Sequence, residues 1–303
     1  MGNNILYNDV VVEASPELVP TIRIAPLDLS QMMADEQECN LQIALHTDKY
    51  ISLYKKARNA ISAAITDLGL QRDDVVTILT TSGNYYVSGC VTKAIETKCQ
   101  WNREVTSNTK AILVIHEFGY PYKGLKLLKE KYKLPIIEDC AYAFFTRDEE
   151  IGTVGDYVIY SLTKAFNMQM GGLMLSSKEM PDEISQSEKE YIVSHLLYEI
   201  RQRNLIVEKR LLNYHYLCAA LKSIGIEPFF REKEGIVPGV FLFRWKEDID
   251  FQELKLYMQR NGVECSVFYT EPAFYIPIHQ NLSRGELDYM INLLKYYYET
   301  QVK

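Results

Sequence analysis

Two stretches decide the fold of this chain: Leu134-Pro135-Ile136-Ile137-Glu138-Asp139 and Tyr160-Ser161-Leu162-Thr163-Lys164. Each is a short apolar run that ends in polar or charged residues, which is typical of buried strands in a parallel sheet. The Gly155-Asp156 pair between them predicts a turn. Because open α/β sheets keep their polar sites at the carboxyl ends of the strands, we expect Asp139 and Lys164 to lie close together.

The same pattern extends on both sides of these stretches. Apolar runs predict strands over residues 49–54, 75–79, 111–118, 134–139, 157–162 and 173–176. Apolar residues at helical spacing predict helices over residues 59–68 and 124–132. Strands that alternate with helices in this way favour a large α/β domain around a central, mostly parallel sheet.

The pairing of Asp139 with Lys164 indicates a particular chemistry. A lysine amine can form a Schiff base with the aldehyde of pyridoxal 5′-phosphate (PLP). An aspartate can pair with the pyridine nitrogen of the same cofactor and make its ring an electron sink. Taken alone, an aspartate at this position is more often a helix cap after a buried strand, and a lysine such as Lys164 is more often a solvated cation in a loop. The surrounding α/β units favour the PLP interpretation.

Several motifs together resemble the DegT/StrS family of sugar aminotransferases, which are fold type I PLP enzymes. The motifs are His116-Glu117-Phe118-Gly119-Tyr120-Pro121, residues 134–141, residues 152–156, Ser161, Thr163-Lys164, Gly171-Gly172 and residues 276–283. The likeness runs from about residue 50 onward. It implies a large PLP-binding domain, a small C-terminal α+β domain and a homodimer.

The resemblance also implies roles for individual residues. Lys164 corresponds to the Schiff-base lysine and Asp139 to the partner of the pyridine nitrogen. Ser161 corresponds to a phosphate ligand, and Tyr142 to the side chain that hydrogen-bonds the phenolic oxygen of the cofactor. In the loop after the strand at residues 75–79, either Tyr85 or Tyr86 is expected to stack on the cofactor ring.

Three features depart from the family pattern. The spacing from Ser161 to Lys164 is about two residues shorter than is usual in the family. The Ser-Gly-Thr that usually receives the phosphate is replaced by Lys56-Ala57-Arg58. The Asn-Tyr-Arg motif that crosses the dimer interface is not recognisable, because residues 181–190 are acidic and polar instead.

The substituted phosphate motif has a physical interpretation of its own. Lys56 and Arg58 stand just before the predicted helix at residues 59–68, where a cation opposes the helix dipole. A bound phosphate reverses that cost, since free backbone N–H groups and cations then converge on it. We therefore predict that Ala57 and Arg58 bind the phosphate. A solvated basic patch is the alternative.

Composition restricts the classes of function. A formal net charge of −7 argues against nucleic acid as the main partner, and no apolar run is long enough to cross a membrane. The six cysteines lack paired spacing, which predicts reduced thiols in the cytoplasm. The five histidines are scattered without a metal-binding motif, so no metal site is predicted.

The chain shows no internal repeat and no obvious linker. Residues 1–40 contain three prolines and little periodicity, which predicts an N-terminal arm. Residues 41–180 form the predicted PLP-binding domain. Residues 181–303 contain a helical tract over 183–224 and then the small domain, with strands over 239–245 and 263–269 and a helix over 251–259. A last helix is expected to begin at the capping box of Ser283 and Glu286.

The predicted function is transfer of an amino group. An amino acid, glutamate by family likeness, is expected to donate it to a keto sugar, by family likeness nucleotide-linked, in polysaccharide or related sugar biosynthesis. The alternative is a PLP-fold protein that has lost catalysis and serves as a binding or regulatory subunit. The substituted phosphate motif and the missing interface motif favour that alternative, whereas retention of both Asp139 and Lys164 opposes it.

Overall fold

The computed structural model describes residues 21–27 and 40–302. The chain divides into two compact units. Of the described residues, 27, 40–204 and 234–237 belong to the large unit, and 21–26, 205–233 and 238–302 belong to the small unit. These units are defined by packing alone, so the domain boundaries expected from the sequence stay a prediction. Most of the predicted N-terminal arm lies outside the described residues.

A seven-stranded sheet forms the centre of the large unit. Its strands are β1 Tyr50–Tyr54, β2 Val75–Thr80, β3 Gln100–Asn102, β4 Thr109–Ile115, β5 Ile136–Asp139, β6 Tyr157–Ser161 and β7 Gly172–Ser176. Their order across the sheet is β1-β7-β6-β5-β4-β2-β3. The five strands from β6 to β3 are parallel, and β7 runs antiparallel to both β6 and β1. This arrangement confirms the predicted mostly parallel sheet.

Both faces of this sheet are buried, which explains why its strands are continuous apolar runs. The helices of the large unit are α1 Leu41–Leu45, α2 Ala57–Asp67, α3 Gly89–Glu96, α4 Leu125–Tyr132, α5 Leu162–Ala165 and α6 Gln186–Arg201. Alternate residues of a strand point to opposite faces. Leu113 of β4 therefore packs in a core with Ile61 and Ile65 of α2, whereas Ile112 packs with Leu125 of α4.

The predicted helical tract over residues 183–224 is divided into two helices. Helix α6 ends at Arg201, and α7 Arg203–Leu221 begins after Gln202, whose backbone is non-helical at φ −92° and ψ 8°. Four consecutive polar residues, 201–204, provide no apolar side chain that would hold one straight helix through this point. The break coincides with the passage of the chain out of the large unit at residue 204.

The small unit has its own antiparallel sheet and core. Its strands are β8 Ile226–Pro228, β9 Phe241–Trp245, β10 Ser266–Phe268 and β11 Ala273–Ile276, in the order β10-β11-β9-β8. Helices α7, α8 Phe251–Arg260 and α9 Arg284–Tyr297 pack with them around buried aromatic residues such as Phe241 and Phe274. Ser283 and Glu286 form both hydrogen bonds of the predicted capping box at the start of α9.

The N-terminal end of the described chain belongs to the same unit. Ile22 forms a parallel β-bridge with Val263, and the Thr21 N–H donates to the Gly262 carbonyl at 2.9 Å. The Ile24 N–H donates to Glu264 Oε2 at 2.8 Å. Among the residues that the structure describes, no helix combines the length and the hydropathy that a membrane span requires.

Candidate active site

Asp139 is the last residue of β5 and lies at the carboxyl edge of the parallel sheet. It is paired in register with Ile115 of β4 and Ile159 of β6, and its side chain is buried. Oδ1 accepts a hydrogen bond from the Ala141 N–H at 2.9 Å. Burial raises the pKa of Asp139, although the nearby Lys164 amine and the Ala141 N–H oppose that rise. A cation placed beside this carboxylate would therefore be strongly favoured.

Lys164 lies in α5, the short helix that follows β6 directly. Its Nζ is 3.9 Å from the centroid of the Tyr142 ring. Burial lowers the pKa of Lys164, but the charges of Tyr142 and Asp139 and the hydrogen bond to Tyr142 outweigh burial and raise it. The structure thus brings the amine of Lys164 together with the carboxylate of Asp139 and the phenol of Tyr142.

Ser161 ends β6, and its partner across the sheet is Gly172 of β7. A Cβ atom on Gly172 would lie 2.5 Å from the Lys56 carbonyl carbon and 2.6 Å from the Ala57 nitrogen. Only a glycine allows so close an approach between β7 and the beginning of α2. Ser161 therefore lies at the same edge of the sheet as the N-terminus of α2.

The N-terminus of α2 has the character of an anion site. Its N-cap residue, Lys56, makes no side-chain capping hydrogen bond, and the first turn contains no acidic residue. Backbone N–H groups in a first helical turn have no partner within the helix. Arg58 is exposed, and its Nη2 lies 2.9 Å from Cys90 Sγ of α3. An uncapped helix end, a guanidinium and the nearby Ser161 hydroxyl suit a phosphate group.

The loop between β2 and α3 carries Tyr85 and Tyr86. Tyr85 is 64% exposed, and the Arg103 guanidinium carbon lies 5.6 Å from the centroid of its ring. Tyr86 is half-buried, and its N–H donates to Asn84 Oδ1 at 2.7 Å. Which of the two rings stacks on a cofactor stays a prediction.

Two features of this site were not predicted from the sequence. Cys90, the second residue of α3, contacts Arg58 and contributes to the electrostatic environment of Lys164. Behind Asp139, the buried Glu138 accepts hydrogen bonds from His116 Nε2 at 3.0 Å and from the Gly152 N–H at 2.7 Å. Glu138 was visible in the sequence as the neighbour of Asp139, but its partners come from distant loops.

His116, Glu138 and Cys140 also have the composition of a metal site. Their ligand-type atoms lie within 4.8 Å of one another. However, His116 Nε2 already bonds Glu138, and His116 Nδ1 accepts the Tyr122 N–H at 3.1 Å. Burial and the nearby carboxylates raise the pKa of the Cys140 thiol, which opposes the thiolate that a metal needs. These contacts are those of a structural network that supports β5.

Comparison with known proteins identifies the family of this chain. Residues 37–217 match the model of a family of PLP-dependent aminotransferases, and this segment is more than half of the chain. The chain belongs to that family. The amine of Lys164, the carboxylate of Asp139 and the uncapped start of α2 fit the aldehyde, the ring nitrogen and the phosphate of the family's cofactor.

Individual relatives agree with this family. A dTDP-4-amino-4,6-dideoxy-D-glucose transaminase of Shigella dysenteriae is 29% identical over 157 residues, which are 46% of this chain and 42% of that protein. The match thus spans less than half of the relative's length.

Solved structures show the fold. The aminotransferase TlmJ of Streptoalloteichus hindustanus has a TM-score of 0.71 at 15% identity, over 88% of this chain and 92% of that one. A DegT DnrJ EryC1 StrS aminotransferase of Brucella abortus has a TM-score of 0.67 at 14% identity, over 85% and 88% of the two chains. These neighbours confirm the fold type I architecture that the sequence predicts.

Proposed function

We propose that this protein is a PLP-dependent aminotransferase that transfers an amino group from glutamate to the keto group of a nucleotide-linked sugar, in polysaccharide or related sugar biosynthesis. The observation that supports it most is the cluster of Lys164, Tyr142 and Asp139 at the carboxyl edge of the sheet. The curated relatives, named as transaminases of dTDP-linked amino sugars, support the sugar acceptor.

The proposed roles are supported by the positions of the residues and by the family resemblance. When bound, PLP supplies a ring that accepts the electron pair released when a proton leaves the carbon of the substrate. Lys164 would hold the cofactor through Nζ, and the same amine would move the proton. Asp139 keeps the ring nitrogen protonated, and Tyr142 hydrogen-bonds the phenolic oxygen.

The other residues proposed for the site hold the cofactor in place. Ser161, Arg58 and the backbone of Ala57 bind the phosphate. Tyr85 or Tyr86 stacks on the ring, which is an efficient way to hold a flat group.

The proposal includes a cytoplasmic homodimer. The cysteines within the described part of the chain are free thiols, which supports a reducing compartment. The dimer is supported by the family resemblance alone. The net charge of −7 supports small-molecule substrates rather than nucleic acid.

The function is tested with purified protein freed of cofactor. Added PLP should produce visible absorbance, and borohydride should then fix the cofactor on the peptide that contains Lys164. The Lys164→Ala variant should lose this absorbance even where it retains some cofactor without a covalent bond. Labelling of a different lysine would overturn the assignment of the site.

A second step separates catalysis from binding alone. Glutamate should change the spectrum of the PLP-loaded protein within a single half-reaction. A protein that binds PLP covalently but responds to no amino acid in a panel would instead be a binding or regulatory subunit. That candidate is supported by Lys56-Ala57-Arg58, which stands where the resemblance expects Ser-Gly-Thr.

A further inference from the structure

A buried carboxylate without a role in the proposed function lies just beyond the end of β4. Glu117 is 4% exposed and begins the 3-10 turn Glu117–Gly119. Its Oε2 accepts the Ser82 N–H at 2.6 Å, and its own N–H donates to Thr81 Oγ1 at 3.0 Å. Both partners belong to the loop of residues 80–86, which carries Tyr85 and Tyr86. Glu117 thus fixes the start of that loop from two atoms.

Arg103 fixes the middle of the same loop. Its Nη2 donates to the Asn84 carbonyl at 2.5 Å and to Thr80 Oγ1 at 3.2 Å. Burial raises the pKa of Glu117, and the charge of Arg103 is among the groups that oppose the rise. Since a buried carboxylate is costly to desolvate, the hydrogen bonds that Glu117 accepts are needed to hold it.

The turn that begins at Glu117 also packs against Tyr142, the ring that lies beside the proposed reacting amine. Phe118 adopts a left-handed backbone conformation at φ 51° and ψ 29°, which costs roughly 1 kcal/mol for a residue other than glycine. Its ring centroid lies 5.4 Å from that of Tyr142, whose ring lies 3.9 Å from Lys164 Nζ. Strain of this kind persists where the surroundings enforce it, and it is concentrated at functional sites.

We infer that Glu117 is a positioning residue that sets the loop of residues 80–86, and with it Tyr85 and Tyr86, against the cofactor beside Lys164. Its carboxylate holds the loop on one side, and the adjacent Phe118 packs on Tyr142 on the other. Glu117 itself does not contact the reacting atoms. This inference rests on the proposed function in one respect, namely that PLP is the ligand.

Hydrogen exchange of the cofactor-free protein directly tests whether Glu117 holds the loop of residues 80–86. In Glu117→Ala the Ser82 N–H loses its acceptor, so exchange in a peptide covering residues 80–86 should become at least about tenfold faster. Glu117→Gln retains an oxygen acceptor, and exchange should stay within about threefold of the wild type. Arg103→Met should accelerate exchange in the same peptide through loss of the bonds to Asn84 and Thr80, and it replaces Glu117→Ala if that variant does not fold.

Titration with PLP tests the consequence. Glu117→Ala should raise the Kd for PLP by about tenfold and reduce the circular dichroism of the bound cofactor, whereas Glu117→Gln should preserve both. Thr109→Val is the matched control, because it removes the buried Thr77–Thr109 hydrogen bond of 2.9 Å within the same pair of strands, away from the loop. It should lower Tm without changing the Kd.

The outcomes distinguish this inference from the proposed function. If the wild-type protein binds no PLP, both the proposed function and the role of Glu117 toward the cofactor are contradicted. The exchange measurement still tests whether Glu117 holds the loop. Wild-type protein that binds PLP, together with a Glu117→Ala variant of unchanged Kd or unchanged exchange at residues 80–86, overturns only the inference. An equal loss of affinity in Thr109→Val would show that general destabilisation is the cause.

Discussion

The side chain of Asp139 is buried, and its neighbours decide whether it carries a charge. Burial raises its pKa, while Lys164 and the Ala141 N–H stabilise the carboxylate. In Asp139→Asn we expect PLP to bind covalently, because Lys164 is intact. The half-reaction with glutamate should slow by several orders of magnitude, or about 4 kcal/mol or more of barrier, since the neutral amide cannot stabilise a protonated ring nitrogen.

Stopped-flow absorbance measures this half-reaction. The control is Asp73→Asn, which changes an exposed aspartate of the same unit. Near-normal turnover in Asp139→Asn would show that this side chain only caps the end of β5.

The sequence predicted the central residues of the site but not their supports. Lys164 and Asp139 were predicted because each stands at or just after a strand end within a motif, and Tyr142 was implied by the family resemblance. The structure places the three together. Their roles stay predictions. Glu117 and Cys90 act through contacts with Ser82 and Arg58, which lie far away along the chain. No local pattern encodes such contacts, since they arise only when the strands align in the sheet.

The N-terminus of α2 is the element in which this chain departs furthest from the family pattern described in the sequence analysis. We propose that Arg58 and the first backbone N–H groups of α2 hold the phosphate. Arg58→Ala should then raise the Kd for PLP by roughly 10- to 100-fold, as expected for loss of a charge-assisted hydrogen bond. The spectrum of the saturated enzyme should not change. Titration of the cofactor-free protein measures the Kd.

Two further variants sharpen this test. Ser161→Ala should weaken binding in the same direction, and the double variant should lose more than either single one. Lys93→Ala removes an equal charge from the last turn of α3 and should leave the Kd unchanged. Unchanged affinity in Arg58→Ala would mean that the cluster is a solvated basic patch.

The contact between β7 and α2 yields another prediction. In Gly172→Ala the new methyl group would meet the backbone of Lys56 and Ala57, so the strand and the helix must separate. We expect a loss of about 1–3 kcal/mol in the free energy of unfolding and a weaker Kd for PLP, because Ser161 pairs with Gly172. In the control, Gly89→Ala, the added Cβ meets no atom within 4 Å. Thermal unfolding of both variants decides whether the close approach matters.

Elements with strong periodicity were predicted, and short ones were missed. The strands at residues 75–80 and 136–139 and the last helix, with its capping box, agree with the sequence analysis. Helix α3 was not predicted, because its sequence begins with glycine and contains the β-branched Val91 and Thr92, which have low helix propensity. Strands β3 and β8 contain three residues each, too few to show an alternating pattern.

The pH dependence of stability of the whole chain should include a contribution from the small unit. Burial, followed by the charge of Arg210, lowers the pKa of His279 to about 3. The native state therefore keeps this imidazole neutral, while the unfolded chain takes up a proton below its ordinary pKa of about 6.5. The contribution of His279 to the free energy of unfolding is fully present above pH 6.5. It is lost as the pH falls toward 3, by up to about 1.4 kcal/mol per pH unit.

The variant His279→Asn should flatten this dependence. An asparagine oxygen can replace His279 Nδ1, which accepts the Asn281 N–H at 3.2 Å, but it does not titrate. Urea unfolding between pH 7 and pH 5 measures the difference. An equally steep loss of stability in the variant would assign the pH dependence to other groups.

The bridge between Ile22 and Val263 has a consequence for how the protein is made. The side chain of Thr21 and the Gly262 carbonyl that accepts its hydrogen bond lie 241 residues apart in the chain. At roughly 5–20 residues per second, the nascent N-terminal segment must wait on the order of 10 to 50 s on the ribosome for its partner. Residues 27–204, by contrast, emerge as one block that contains nearly all of the large unit. Translation therefore favours a vectorial order, in which the site around Lys164 is assembled while Thr21 and Ile22 still lack Gly262 and Val263 as partners.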